Sequence, residues 1–261
     1  MKAIVFDKSG TLVHRYDEIK NIQTGQIYSN IDSINIVDQD PDRVLVVFQT
    51  KNSECIAKAT PTQTISQFLI QNSIEVDISY STRDINKDEI LNVIKKDKTC
   101  MSDVQDTYNS VVDKYNIHIC IGSGLIINMK TGKIEYTLSA GGRIFEEVPY
   151  VVNQLKERGI TIFIASGDGT QSLHQLAEHI KVPLQNVYNT ANSKRKKEIV
   201  TDLKKQYQVM MVGNDSNDIL AMAEADVGVL TVQQNDRSII KTYAAADYVI
   251  NNIQEVLNID F

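Results

Sequence analysis

Residues 2–12 read Lys2-Ala3-Ile4-Val5-Phe6-Asp7-Lys8-Ser9-Gly10-Thr11-Leu12. The apolar run Ala3 to Phe6 has no helical period, which predicts a short strand buried on both faces. It stops abruptly at Asp7, with small hydroxyl residues and Gly10 close behind. A carboxylate at the carboxyl end of a buried strand sits where open α/β sheets place their ligands. Gly10 lets the backbone turn tightly and approach an anion. One reading makes Asp7 a nucleophile toward phosphorus, with Thr11 and nearby backbone N–H groups around the phosphate. The other makes the stretch a strand ending in a helix cap, for which Asp and Ser are well suited. These residues alone divide the two readings evenly.

Composition narrows the classes. A chain of 261 residues, 42% hydrophobic and 23% charged, has globular composition and is long enough for one large domain or two modest ones. A net charge of −6 supplies no basic surface for a nucleic acid partner. Cys55, Cys100 and Cys120 are scattered with no C-x-x-C pair, which suits reduced thiols in a cytoplasm. The N-terminus enters a strand at once, so no signal peptide is expected. No apolar run approaches the ~18 residues a membrane helix needs. The expectation is a soluble, cytoplasmic protein with neither nucleic acid nor membrane as partner.

Outward from residue 12, residues 12–30 read as extended segments about a turn at Thr24-Gly25, possible flap material over the first strand. Asp38 to Asp42 is a polar breaker, and Arg43 to Phe48 a β-branched strand, with Glu54 to Ala59 as its hairpin partner across Lys51-Asn52-Ser53. Helical spacing marks Thr64–Ile74, Lys87–Lys96 and Asp103–Asn116, and alternation marks Val76–Tyr80 as a strand. Strands follow at Ile119–Ile127 and Lys133–Leu138, then a helix over Phe145–Arg158 ending at Gly159. From there strands (Ile160–Ala165, Val209–Val212, Asp226–Leu230, Tyr248–Ile250) alternate with helices (Ser172–Ile180, Lys194–Gln206, Ile219–Glu224, Ile253–Leu257). That alternation predicts βαβ units and a parallel sheet.

In such a sheet, strand ends share one edge. Three polar clusters would then converge: Asp7 to Thr11, Ser166-Gly167-Asp168, and Asn214 to Asp218. Their order resembles the haloacid dehalogenase superfamily and, within it, the phosphorylation domain of P-type ATPases. D-K-T-G-T-[LIV] is similar to Asp7–Leu12, with Ser9 for Thr. T-G-D-N is similar to Ser166-Gly167-Asp168-Gly169. The lysine upstream of I-V is similar to Lys196 before Ile199-Val200. G-D-G-x-N-D-A is similar to the stretch from Gly213 onward. The resemblance covers residues 2–15 and about 120–250.

It implies an α/β fold, a Rossmann-like parallel core of residues 1–13 and 119–261 with an inserted α+β cap of residues 14–118. It also implies that Asp7 is the nucleophile forming an aspartyl-phosphate, with Lys196 and Mg²⁺ neutralising charge. Metal ligands would come from Asp7, the carbonyl of Ser9, and Asn214, Asp215 or Asp218. Ser166, Gly167, Gly10, Thr11, Lys196 and Asn217 would hold the phosphate, helped by the helix N-terminus beyond Asp168. Asp168 suits a structural tie of that loop as well as a catalytic part.

Two departures carry weight. Family phosphatases place a second Asp, a general acid and base, where this chain has Ser9. Such groups contribute roughly 10²–10⁴-fold, so slow hydrolysis is expected. The first aspartate of the fourth motif aligns with Asn214, which can ligate Mg²⁺ but brings no charge; either Asp215 or Asp218 is left to compensate. The run Lys194-Arg195-Lys196-Lys197 reads as a solvated helix face, with Lys196 alone kept for the site. His14, His118, His174 and His179 have no metal-ligand spacing, and Gly122-Ser123-Gly124 reads as a turn rather than a phosphate loop. The functional expectation is a Mg²⁺-dependent phosphohydrolase acting on a small phosphorylated metabolite or a nucleotide. A phosphotransferase or mutase, and a non-enzymatic phosphate- or nucleotide-binding regulator, are the alternatives. A receiver-type signalling domain is opposed by the Gly10-Thr11 pair and the long insertion, and no ATPase nucleotide-domain motif is found there.

Overall fold

The structure is a computed structural model, and it describes residues 1–29, 31–50, 54–115, 117, 121–234 and 240–261. Two compact units emerge. The first comprises Met1–Arg15, Arg143–Gly167 and Leu173–Phe261; the second comprises Tyr16–Gly142 and Asp168–Ser172.

Strand β1 (Lys2–Phe6) has Ala3 through Phe6 wholly buried, as a run without alternation requires. The chain then enters the second unit within β2 (Val13–Asn21), which pairs antiparallel with β3 (Ile27–Ser29) across the expected turn. Helix α1 (Ser33–Asp38), capped by Asp32, precedes β4 (Arg43–Phe48). Next come α2 (Glu54–Ala57), α3 (Ile65–Gln71), β5 (Val76–Ser81), α4 (Lys87–Lys96) and α5 (Met101–Tyr115). Strands β6 (Gly122–Asn128) and β7 (Lys133–Ile144) complete a sheet ordered β3-β2-β7-β6-β4-β5 among the described residues. Its alternation sorts two cores: Val44, Val46 and Phe48 face α3 to α5, while Leu45 joins Ile126, Leu138 and Val37 on the other side.

Strand β2 meets α5 through polar contacts. The Tyr16 and Tyr115 rings lie 4.4 Å apart, and Lys20 Nζ donates to Asp103 at 2.6 Å and to Asp106 at 2.7 Å. Buried Glu18 accepts hydrogen bonds from Ser110 Oγ and Tyr115 OH, each at 2.9 Å, and from Lys114 Nζ at 3.3 Å. Burial pushes the Glu18 pKa up, but hydrogen bonds from Ser29, Ser110, Tyr115 and Lys114 outweigh it and hold the carboxyl below its ordinary value.

Back in the first unit run α6 (Val148–Glu157), β8 (Thr161–Ala165), α7 (Thr170–His179), β9 (Val187–Tyr188), α8 (Ser193–Leu203) and β10 (Gln208–Gly213). Then α9 (Ile219–Glu224), β11 (Val227–Thr231), α10 (Ile240–Ala244) and β12 (Tyr248–Ile250) close it, and the expected last helix is a 3-10 helix over Ile253–Asn258. The sheet is parallel throughout its described pairs, in the order β12-β11-β10-β1-β8-β9. The α/β class is as expected. From β1 the chain winds to β8 and β9, then crosses to β10 on the opposite side, so the order reverses at β1.

Three expectations are corrected. The second domain boundary moves from 118/119 to 142/143, because β6 and β7 hydrogen-bond into the sheet of β4 rather than the parallel sheet. Glu54 to Ala57 is helical, and β4 pairs instead with β5 and β6. Gly122-Ser123-Gly124 lies in β6, where Gly124 sits against Val46 O, 2.2 Å from the position of an ideal Cβ. The turn Lys51-Asn52-Ser53, His118, Ile119 and Cys120 lie outside the described residues.

Candidate active site

A strand order that reverses at β1 opens a crevice beyond the strand ends, where α/β sheets bind ligands. In the register of the sheet Phe6 is level with Val212 of β10 and Ile164 of β8. Asp7, Ser166 and Asn214 follow those strands and emerge on one edge. The Asp7 N–H still donates to Val212 O at 2.9 Å, so the sheet ladder fixes the backbone beneath this carboxylate.

Lys196 reaches the same edge from α8. Its helical neighbours at spacing three, four and seven, Ile199, Val200 and Leu203, are buried, and Lys196 occupies that same stripe with no exposed surface. An ammonium there needs partners, and it has two: Asp7 Oδ1 at 2.7 Å and Asp218 Oδ1 at 2.6 Å. Burial favours the neutral amine, but Asp218 and Asp7 together reverse this and raise the pKa above its ordinary value. Lys194, Arg195 and Lys197 point to solvent, with Arg195 paired to Glu198 and Lys197 to Glu224.

Asp218 is a keystone of this edge. Its other oxygen, Oδ2, accepts the N–H groups of Asn214 at 3.0 Å and Asp215 at 3.2 Å. An ideal Cβ on Gly213 would fall 2.4 Å from Asp218 Cγ, so only glycine at 213 leaves room for the carboxylate. Both oxygens of Asp218 therefore already bind N–H donors. Asp215 Oδ1 accepts the Ser216 N–H at 2.6 Å.

The loop after Asp7 is drawn inward. The Lys8 carbonyl accepts N–H groups from Thr11, Leu12 and Val13, and the Gly10 N–H donates to Val13 O at 2.8 Å. The backbone donors of Gly10 and Thr11 thus close the turn, contrary to the expectation that they face a phosphate. Gly10 has φ +75°, and an ideal Cβ on it would lie 2.1 Å from Asn214 Nδ2. Two buried side-chain oxygens, Thr11 Oγ1 and Asn217 Oδ1, have no hydrogen-bond partner. Ser166 is buried; its N–H donates to Tyr188 O at 3.1 Å and its carbonyl accepts from Ala191 at 2.8 Å. Asp168 falls in the second unit with residues 169–172.

Two glutamines without a periodic signal also hold the first motif. Gln233 Nε2 donates to Thr11 O at 2.5 Å while its Oε1 accepts from Ile253 N at 2.9 Å. Gln234 exchanges a pair of hydrogen bonds with the backbone of Arg15, at 2.9 and 3.0 Å.

The donor set suits a hard cation: the Asp7 carboxylate, the Ser9 carbonyl and the Asn214 amide are all oxygen donors. Among the described residues no group of three or more His, Cys, Asp or Glu could hold a metal by itself, so carbonyl and amide oxygens must complete any such site. No helix among them is long and apolar enough to cross a membrane.

A family model described as a haloacid dehalogenase-like hydrolase matches residues 1–226. The chain belongs to this family. As a haloacid dehalogenase-like hydrolase it is similar to the "Soluble P-type ATPase-like phosphatase" of Methanocaldococcus jannaschii, 34% identical over 98% of this chain and 92% of that one. It is 26% identical to a copper-transporting ATPase of Helicobacter pylori over 97% of this chain but only 32% of that one. Among solved structures, the catalytic domain of the CPx-ATPase CopB-B is 15% identical, with a TM-score of 0.49 over 99% of this chain and 88% of that one.

Proposed function

We propose that this hydrolase is a Mg²⁺-dependent phosphatase that works through an aspartyl-phosphate on Asp7. The observation that carries the reading is the buried Lys196, held 2.7 Å from Asp7 Oδ1. A fixed cation beside a carboxylate offsets the charge that gathers when the carboxylate meets a phosphate dianion. The phosphatase name of the Methanocaldococcus relative, similar along nearly its whole length, supports the same class.

In the first step an Asp7 oxygen forms a bond to phosphorus and the ester oxygen leaves with its electron pair, taking a proton from water. In the second, water attacks phosphorus, the Asp7 carboxylate leaves, and inorganic phosphate is released. Lys196 orients Asp7 and keeps its charge through both steps. Ser166 and Gly167 hold phosphoryl oxygens; the Thr11 hydroxyl, whose Oγ1 has no hydrogen-bond partner, and the Asn217 side-chain NH₂ would donate to the bound group. Mg²⁺ would be held by Asp7, the Ser9 carbonyl and Asn214, with Asp215 or Asp218 as the added carboxylate. When bound it supplies charge neutralisation of the phosphoryl oxygens.

Ser9 cannot serve as the acid and base, so the phosphoenzyme breaks down slowly. The substrate is a small phosphorylated metabolite or a nucleotide, and the reaction is cytoplasmic. Turnover of p-nitrophenyl phosphate with Mg²⁺ tests the reading. Asp7→Asn is expected to abolish it, and activity surviving in that variant would remove Asp7 as nucleophile.

A further inference from the structure

We infer that Gln49 is a positioning residue for the loop that carries Ser166 and Gly167; this rests on the phosphatase reading above. Gln49 directly follows β4, and its N–H donates to Glu75 O at 2.8 Å, so its backbone extends the β4–β5 ladder. Its side-chain Oε1 accepts both the N–H and the Oγ1–H of Thr170, each at 2.9 Å. Thr170 opens α7, and its N–H is one of the donors that a helix leaves without an internal partner. Gln49 therefore caps α7 from a segment 121 residues away in the chain.

The fit around that cap is close. An ideal Cβ on Gly169 would stand 3.1 Å from Phe48 O and 3.5 Å from Gln49 Oε1, tight enough that a side chain there would push on the Phe48 backbone. Gln49, Gly169 and Thr170 all belong to the second unit. Ser166 and Gly167, immediately before them, belong to the first, where Ser166 is tied to Tyr188 and Ala191.

The amide orientation is dictated by Thr170. Turned over, Gln49 would set its own NH₂ against the Thr170 N–H. In the orientation adopted, Nε2 is buried and makes no hydrogen bond. An unused buried donor is costly, and a side chain chosen only to fill space would not carry one. Gln49 keeps that cost because its acceptor oxygen is what holds the start of α7, and with it the backbone leading from the phosphate-binding residues. Displacing such a loop by about 1 Å can lower a rate on the order of 100-fold.

The test compares Gln49→Leu, Thr170→Val, Thr170→Ser and the Gln49→Leu/Thr170→Val pair in the full chain. The probes are p-nitrophenyl phosphate turnover and competitive inhibition by inorganic phosphate, both with Mg²⁺. Gln49→Leu is expected to lower kcat/KM by about 10–100-fold and to weaken inhibition by phosphate. Thr170→Val should lose part of this, the double variant no more than Gln49→Leu alone, and Thr170→Ser should stay near the parent because both donors remain. If Gln49→Leu does not fold, Thr170→Val and Thr170→Ser carry the comparison. Lowered thermal stability with kcat/KM and phosphate inhibition unchanged would overturn the inference and leave a structural role only. So would losses that simply add in the double variant. Turnover surviving in Asp7→Asn would instead overturn the phosphatase reading itself.

Discussion

Gly10 and Asn214 exclude each other's side-chain space: an ideal Cβ at 10 would lie 2.1 Å from Asn214 Nδ2. The glycine of the first motif is thus answerable to the fourth motif as well as to its own turn at φ +75°.

Gly10→Ala is expected to destabilise on both counts, by about 1–2 kcal/mol for the left-handed backbone and about 1–3 kcal/mol for overpacking. Urea denaturation of Gly10→Ala, Asn214→Ala and the pair separates them. The pair should recover the overpacking part but not the backbone part.

Asn214→Asp adds a negative charge to the proposed metal site. The Mg²⁺ concentration for half-maximal p-nitrophenyl phosphate turnover should fall by about tenfold, since charge count tunes affinity for hard cations. An unchanged requirement would place the metal away from residue 214.

Lys196→Met leaves Asp7 and Asp218 facing each other without their shared cation. Removing one partner from a buried pair costs about 3–5 kcal/mol, and turnover should fall at least about 100-fold. The raised Lys196 pKa sets the pH dependence. Its stabilisation is fully present below the ordinary lysine value of 10.5 and is lost only as pH rises through the higher folded value. The stability difference between parent and Lys196→Met, measured by urea denaturation from pH 6 to 9, should therefore owe no slope to Lys196.

Ser9→Asp restores a carboxyl group at the acid–base position. Loss of labelled phosphate from trapped phosphoenzyme should accelerate by about 10²–10⁴-fold. An unchanged or slower rate would mean that residue 9 is not placed to act on the attacking water.

Glu18→Gln probes the polar seam between β2 and α5. The lowered carboxyl pKa contributes stability above the ordinary glutamate value of 4.5, and that contribution is lost as pH falls through the folded value. Thermal unfolding should find the variant less stable than the parent at pH 7, with the gap narrowing as pH falls below 4.5.

Much of this was legible in the chain before folding. The apolar run Ala3–Phe6 can only be a strand buried on both faces, and the later alternation of strands and helices can only build a parallel sheet. Parallel strands put Asp7, Ser166 and Asn214 on one edge without further information. Lys196 was singled out only by motif order, its run of charges otherwise reading as a solvated helix face; its place in the buried stripe of α8 came from the fold.

What tertiary structure decided lies in contacts that no local period records. Asp218 is a good oxygen ligand by type, yet its two oxygens hold Lys196 and the N–H groups of Asn214 and Asp215. The strands β6 and β7 look like any strands, and only hydrogen bonding to β4 assigns them to the second unit. Gln49, Gln233 and Gln234 carry no signal at all, because a side-chain amide acquires a role only from the backbone groups that folding brings to it. Sequence determined which residues have the chemistry and on which sheet edge they stand; the fold determined which donors and acceptors were already spent on one another.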